Sequence, residues 1–131
     1  MEKKILFVDD EPLILRVLES VFKADGYTAF STTSGVEGLE LVAREDIRVC
    51  FVDLRMPVMD GLELCRRIKA IQPDAHVFAL SAYISGFKES EFRDAGFDCW
   101  LLKPFNIDQL LAVGRNAIDQ LQKEEAAKLP S

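Results

Sequence analysis

Short apolar runs alternate strictly with segments of helical period along this chain, and that alternation restricts the fold more than any other feature. The runs Ile5-Leu6-Phe7-Val8, Cys50-Phe51-Val52, Val77-Phe78-Ala79-Leu80 and Trp100-Leu101-Leu102 are continuously apolar. Strands with one wet face alternate apolar and polar residues; continuous runs mark strands covered on both faces. A further strand is expected over residues 27–32. Between the strands fall five helical patterns. The first follows Pro12 and carries Leu13, Ile14, Val17, Leu18, Val21 and Phe22 at helical spacing, with Gly26 closing it. Ser34 with Glu37, and Asp60 with Glu63, have the spacing of an N-cap acceptor and a glutamate three residues on. They predict helices ending near Arg44 and at Ile71, the second stopped by Pro73. A short helix is expected over residues 85–95, ended by Gly96. A last one, capped by Asn106 with Gln109, carries Ile107, Leu110, Leu111, Ala117, Ile118 and Leu121 on one side.

Parallel strands need crossover connections, nearly always right-handed, so this order predicts a doubly wound five-stranded parallel α/β sheet. The chain has 131 residues, enough for one domain with a proper core. The domain is expected over residues 1–121, with residues 122–131 a polar tail that frays.

Four of the runs end on residues with pointed chemistry: Asp9-Asp10, Asp53, Ser81 and Lys103. In open parallel sheets ligands bind beyond the carboxyl ends of the strands, so these residues converge on the edge where a site belongs. Asp9, Asp10 and Asp53 repel one another there, and a hard divalent cation relieves the repulsion. Magnesium suits a cage this incomplete, because it keeps several waters and completes its shell with phosphoryl oxygen. A carboxylate such as Asp53 can attack phosphorus, Lys103 can oppose the developing negative charge, and Ser81 can donate to a phosphoryl oxygen. Each residue alone has an ordinary explanation: the acidic first turn of a helix, a surface cation, a strand-end hydroxyl. Together those explanations require four coincidences.

Sixteen basic against twenty-two acidic residues give a net charge of -6, which disfavours direct contact with nucleic acid or an anionic membrane. Arg66, Arg67 and Lys69 read as a solvated helix face. No apolar run approaches membrane-spanning length, and the strand expected from Lys4 leaves no room for a signal peptide, so a cytoplasmic location is expected. Cys50, Cys65 and Cys99 are expected as buried, reduced thiols. His76, the single histidine, opens a strand at the end remote from the acidic edge and reads as structural. Phe87, Phe92, Phe97 and Phe105 read as core rather than as a stacking platform for bases.

Four motifs in order carry a resemblance to a known family: Phe7-Val8-Asp9-Asp10-Glu11-Pro12, Val52-Asp53-Leu54-Arg55-Met56-Pro57-Val58-Met59-Asp60-Gly61, Ala79-Leu80-Ser81-Ala82 and Leu102-Lys103-Pro104-Phe105. Over about residues 3–121 the chain resembles the receiver domain of two-component response regulators. The resemblance implies a flavodoxin-like sheet of strand order 2-1-3-4-5 and phosphorylation on Asp53. It implies Mg2+ held by Asp10, Asp53 and the Arg55 carbonyl, with Asp9 helping through water, and Lys103 and Ser81 contacting the phosphoryl group. It also implies a cis Lys103-Pro104 bond and a signalling phosphoacceptor that catalyses only its own phosphorylation and dephosphorylation. A sensor histidine kinase or phosphotransfer protein would supply the phosphoryl group. A phosphorylation-dependent homodimer or an output partner would read it.

Ser81 and Trp100 occupy the family's switch positions, where the second is usually a tyrosine or phenylalanine. By its own chemistry the bulkier indole reads as a packed strand residue. Arg55 and Tyr83, two residues past Asp53 and Ser81, lie where the family tunes phosphoryl lifetime, and read otherwise as exposed loop residues. Three alternatives stand beside this reading. A magnesium-dependent aspartyl phosphatase is disfavoured because Arg55 stands where its acid/base aspartate belongs. A nucleotide switch lacks a glycine-rich loop after the first strand. A docking module that had lost phosphorylation would have no use for Asp10, Asp53, Ser81 and Lys103.

Overall fold

A computed structural model of the chain describes residues 2–82 and 88–128. Its strands are β1 (Lys4–Val8), β2 (Thr28–Thr32), β3 (Val49–Asp53), β4 (His76–Ser81) and β5 (Cys99–Leu102). Its helices are α1 (Pro12–Ala24), α2 (Gly35–Glu45), α3 (Gly61–Ile71), α4 (Glu89–Ala95) and α5 (Ile107–Lys128). All strand pairs are parallel, in the order β2-β1-β3-β4-β5, which is the flavodoxin-like arrangement.

The continuous apolar runs are buried on both faces, as a doubly covered sheet requires. Leu6, Val8, Cys50, Val52, Val77 and Ala79 face one core, completed by α2, α3 and α4 through Leu41, Ile68 and Phe92. Ile5, Phe7, Val49, Phe51, Phe78 and Leu80 face the other, completed by α1 and α5 through Leu18, Phe22, Leu110 and Ile118. The alternation follows from the two-residue period of a strand. Aromatic rings fill the second core: Phe22 stands edge-on to Phe7 and Tyr27 at 5.0 and 5.1 Å, and Phe51 lies 5.1 Å from Phe78.

The helix starts obey the expected signals. Ser34 Oγ accepts from the Glu37 N–H, Asp60 Oδ1 from the Glu63 N–H, and Asn106 Oδ1 from the Asp108 N–H. Gly96 ends α4 at φ 101°, a left-handed conformation that suits glycine. The part of the expected short helix over residues 85–87, with Phe87, lies outside the described residues. Arg66 and Arg67 pair with Glu63 and Lys69 with Asp98, a solvated face as expected.

Two expectations are corrected. The tail does not fray at Leu121, because α5 continues to Lys128. Residues 122–128 hold no large apolar side chain but are almost all strong helix formers, and that composition says only that this stretch is largely wet. Glu125 pairs with Arg48 at 3.6 Å and Lys128 with Asp74 at 3.2 Å. Cys99 is exposed, whereas Cys50 and Cys65 are buried. It opens β5, an edge strand of which only Leu101 is buried. Burial pushes the Cys65 thiol up to about 12 and the Cys50 thiol further in the same direction.

Gly114 marks where α5 closes on α1. A Cβ there would sit 3.0 Å from Phe22 Cε2 and 3.2 Å from the Tyr27 hydroxyl. Phe22 is fully buried among rings and has nowhere to retreat. Alanine would add about 1 kcal/mol of helix propensity. Overpacking against a fixed ring costs about 1–3 kcal/mol. Gly114→Ala is therefore expected to lower the urea midpoint, with an unchanged m-value.

Candidate functional site

Register places the pointed residues at one level. Val8 pairs with Val52, Asp53 with Leu80, and Ser81 with Leu102. The ladder continues past the strand ends: the Asp9 N–H donates to Thr32 O, Leu54 N–H to Leu80 O, and Lys103 N–H to Ser81 O at 2.7 Å. Asp9, Asp53 and Ser81 are 0%, 5% and 1% exposed, so strand geometry holds polar side chains out of water. Asp10 turns outward and is exposed. One carboxylate oxygen from each of Asp9, Asp10 and Asp53 lies within 4.8 Å of the others, the one cluster of this kind among the described residues. Such a set of hard oxygen donors can hold a divalent cation.

Each buried carboxylate is braced by its own chain. Asp9 Oδ1 accepts from the Glu11 N–H at 2.9 Å and Asp53 Oδ1 from the Arg55 N–H at 3.1 Å. These two-residue turns leave both Oδ2 atoms facing Lys103. Its Nζ lies 2.6 Å from Asp9 Oδ2, 3.5 Å from Asp53 Oδ2 and 3.5 Å from Glu11 Oε1. The Lys103-Pro104 bond is cis, as the resemblance implied.

Burial pushes the Asp9 carboxyl above its ordinary value, and the Lys103 hydrogen bond offsets only part of the shift. Burial likewise raises Asp53, against the Arg55 N–H and the Lys103 charge, with Asp9 and Asp10 adding to the rise. For Lys103 burial acts downward, but the hydrogen bond to Asp9 and the charges of Asp9, Asp53 and Glu11 prevail and hold it above the usual lysine value. Lys103 therefore stays an ammonium.

The loop after Asp53 forms the outer wall. Asp10, Arg55, Pro57 and Asp60 line an open depression there. Leu54 and Met56 are buried anchors, and the Met59 N–H donates to Pro57 O across Val58 at φ 71°, a γ-turn of the rarer hand. Gly61 lets α3 start close by: a Cβ there would meet the Asp53 carbonyl oxygen at 2.6 Å and Leu54 Cα at 2.7 Å. Any larger residue would displace the backbone that carries Asp53.

The structure thus brings Asp9, Asp10, Asp53, Arg55, Ser81 and Lys103 to one edge. Trp100 lies apart on β5, half-buried, its ring stacked on Phe92 at 4.9 Å and 23°. Tyr83 lies outside the described residues. His76 is at the opposite end of the sheet, in keeping with a structural role. Glu11 was legible only as part of an acidic first turn, and its contact with Lys103 depends on pairing across ninety-two positions.

The family model described as response regulator receiver domain matches residues 5–115. The chain belongs to this family. The receiver is 34% identical over 110 residues to sporulation initiation phosphotransferase F of Bacillus subtilis, covering 84% of this chain and 89% of that protein. It is also 34% identical to response regulator MprA of Mycobacterium leprae, covering 95% of this chain but 55% of that protein. The receiver thus spans about half the length of several curated relatives that it matches. A CheY-like receiver domain from Methanospirillum hungatei superimposes with a TM-score of 0.89 at 27% identity, covering 95% of this chain and 99% of that one. A Burkholderia pseudomallei response regulator, solved with a phosphorylated aspartic acid, a calcium ion and citrate, superimposes at 0.80 with 29% identity, covering 98% and 76%.

Because burial raises Asp53, its ionisation opposes folding of the metal-free receiver. A folded-state value above the unfolded one contributes stability below about pH 4 that is lost as pH rises through the folded value. Asp53→Asn keeps the acceptor for the Arg55 N–H without the charge. In chelator it is expected to be more stable than wild type by about 1–2 kcal/mol at neutral pH, the difference shrinking as pH falls through the folded value of Asp53 and gone below about pH 4. Thermal unfolding across that range is the measurement.

Proposed function

We propose that this receiver is a signalling phosphoacceptor that takes a phosphoryl group onto Asp53 and changes conformation to regulate a partner or output domain. The observation that carries this reading is a buried Asp53 carboxylate 3.5 Å from the Lys103 ammonium, beside two further aspartates. The donor set fits Mg2+ held by Asp10, Asp53 and the Arg55 carbonyl, with Asp9 acting through water. When bound, that ion supplies charge that screens the carboxylates and draws phosphoryl oxygens toward Asp53.

Asp53 Oδ2 forms the new bond to phosphorus while the bond to the donor's leaving atom breaks and the leaving atom keeps the electron pair. Lys103 shifts toward the phosphoryl oxygens, and the Ser81 hydroxyl at the end of β4 donates to one of them. The receiver promotes only its own phosphorylation and dephosphorylation. A sensor histidine kinase or phosphotransfer protein is the donor, consistent with relatives named as response regulators and, in one case, as a phosphotransferase.

Movement of Ser81 and Lys103 reaches β5 first, and the Trp100–Phe92 stack joins β5 to α4. We place the phosphorylation-dependent contact, with a second copy or an output partner, on the face around Phe92, Trp100 and α5. The Trp100 stack favours packing over a free swing of the ring, so Ser81 carries more of the switch. No helix among the described residues is long and apolar enough to cross a membrane, and the net charge of -6 disfavours direct nucleic-acid binding.

Acetyl phosphate with Mg2+ is expected to add one hydroxylamine-labile phosphoryl group, read by intact mass and mapped to Asp53. An adduct that persists in Asp53→Asn would place the acceptor elsewhere. Lys103→Ala is expected to keep binding Mg2+, followed by Trp100 fluorescence, yet take up the phosphoryl group at least about tenfold more slowly, because the transferring charge loses its counter-ion.

A further inference from the structure

Glu11 occupies the N-cap position of α1, but its side chain makes no capping hydrogen bond. Its carboxylate turns instead to Lys103, 3.5 Å away, while its backbone N–H braces Asp9. Glu11 and Lys103 both line an open groove of about 440 Å³, with Ile14, Ala82, Pro104 and Phe105. Lys103 is thus divided among three carboxylates, of which Glu11, with a side chain 59% exposed, is the one at the mouth.

We propose that Glu11 is a positioning residue that holds the Lys103 ammonium back from the incoming phosphoryl group and so restrains phosphorylation of Asp53. This inference rests on the reading of Asp53 as acceptor. With acetyl phosphate as donor, the Asp53 oxygen bonds to phosphorus as the phosphorus–oxygen bond to acetate breaks, and acetate leaves with the electron pair. Negative charge on the three remaining phosphoryl oxygens must then be met by Lys103. Asp9 is buried and braced, so the contact that Lys103 gives up most readily is the exposed one to Glu11. Removing that competitor leaves Lys103 freer to follow the phosphoryl group. The contact is solvent-exposed on one side, so its release is worth a factor of about two to five in rate.

The test compares the phosphorylation rate of wild type and Glu11→Gln with acetyl phosphate and with phosphoramidate, a donor of lower net charge, at low and at high ionic strength. Glutamine keeps the shape and, with no capping bond to lose, leaves α1 intact. The expected result is uptake about two- to fivefold faster in Glu11→Gln, by the same factor for both donors and still present at high salt. A contact pair survives salt that screens longer-range repulsion. Equal or slower uptake overturns the proposal. So does an acceleration that vanishes in salt or appears only with the more highly charged donor, since that marks repulsion of the donor rather than a hold on Lys103. A wild type that forms no Asp53 adduct overturns the proposed function as well. Normal wild-type uptake with no change in Glu11→Gln overturns this inference alone.

Discussion

Asp9 and Asp53 are carboxylates that folding takes out of water, and the Lys103 ammonium answers both. An unpaired buried charge costs several kcal/mol, so the three side chains are energetically one unit although they come from the residue after β1, the end of β3 and the loop after β5. Lys103 alone does not balance them. With Asp10 and Glu11 close by, four carboxylates of the described residues gather around Lys103, and both buried aspartates stay above their ordinary values. Such an imbalance lets the edge hold a divalent cation. The folded protein carries an unfavourable charge cluster that a bound divalent cation would relieve.

Such a cluster persists only on a stiff platform. The middle of the sheet is close-packed on both faces, and the backbone ladder runs one residue beyond the strands to fix the bases of Asp9, Leu54 and Lys103. Gly61 brings α3 against the Asp53 carbonyl, and Val58 takes a left-handed conformation that costs a β-branched residue about 1–3 kcal/mol. Strain of this kind survives where flanking anchors over-determine the chain, and here the buried Leu54 and Met56 and the capped start of α3 are those anchors. Rigid strands thus aim the carboxylates, while a tightened loop shapes the wall in front of them.

The two sides of the sheet differ in how they are packed. The α1 and α5 side is locked by the Phe7, Phe22, Tyr27 and Phe51 rings. The α4 side meets β5 largely through the Trp100 stack on Phe92, at a short strand on the sheet edge. A change at Ser81 or Lys103 therefore meets less resistance toward α4 than toward α1.

The sequence by itself determined the elements, because the signals that define them are local. Continuous apolar runs imply strands covered on both faces, and Ser34, Asp60 and Asn106 cap helices through side chains two or three residues from the N–H groups they serve. The convergence of Asp9, Asp53, Ser81 and Lys103 was legible too, since parallel strands send their carboxyl ends the same way. Strand order was legible only through resemblance to a family, because no periodicity records which strand neighbours which. Tertiary structure alone decided the rest. The run of α5 to Lys128 was hidden because a polar stretch of good helix formers looks like a solvated tail, and the exposure of Cys99 follows from β5 lying at the edge. The division of Lys103 among Asp9, Asp53 and Glu11 depends on distances between residues ninety-four, fifty and ninety-two positions apart. Local chemistry chooses the residues, but strand register and sheet twist decide which charges meet, and those belong to the whole folded chain.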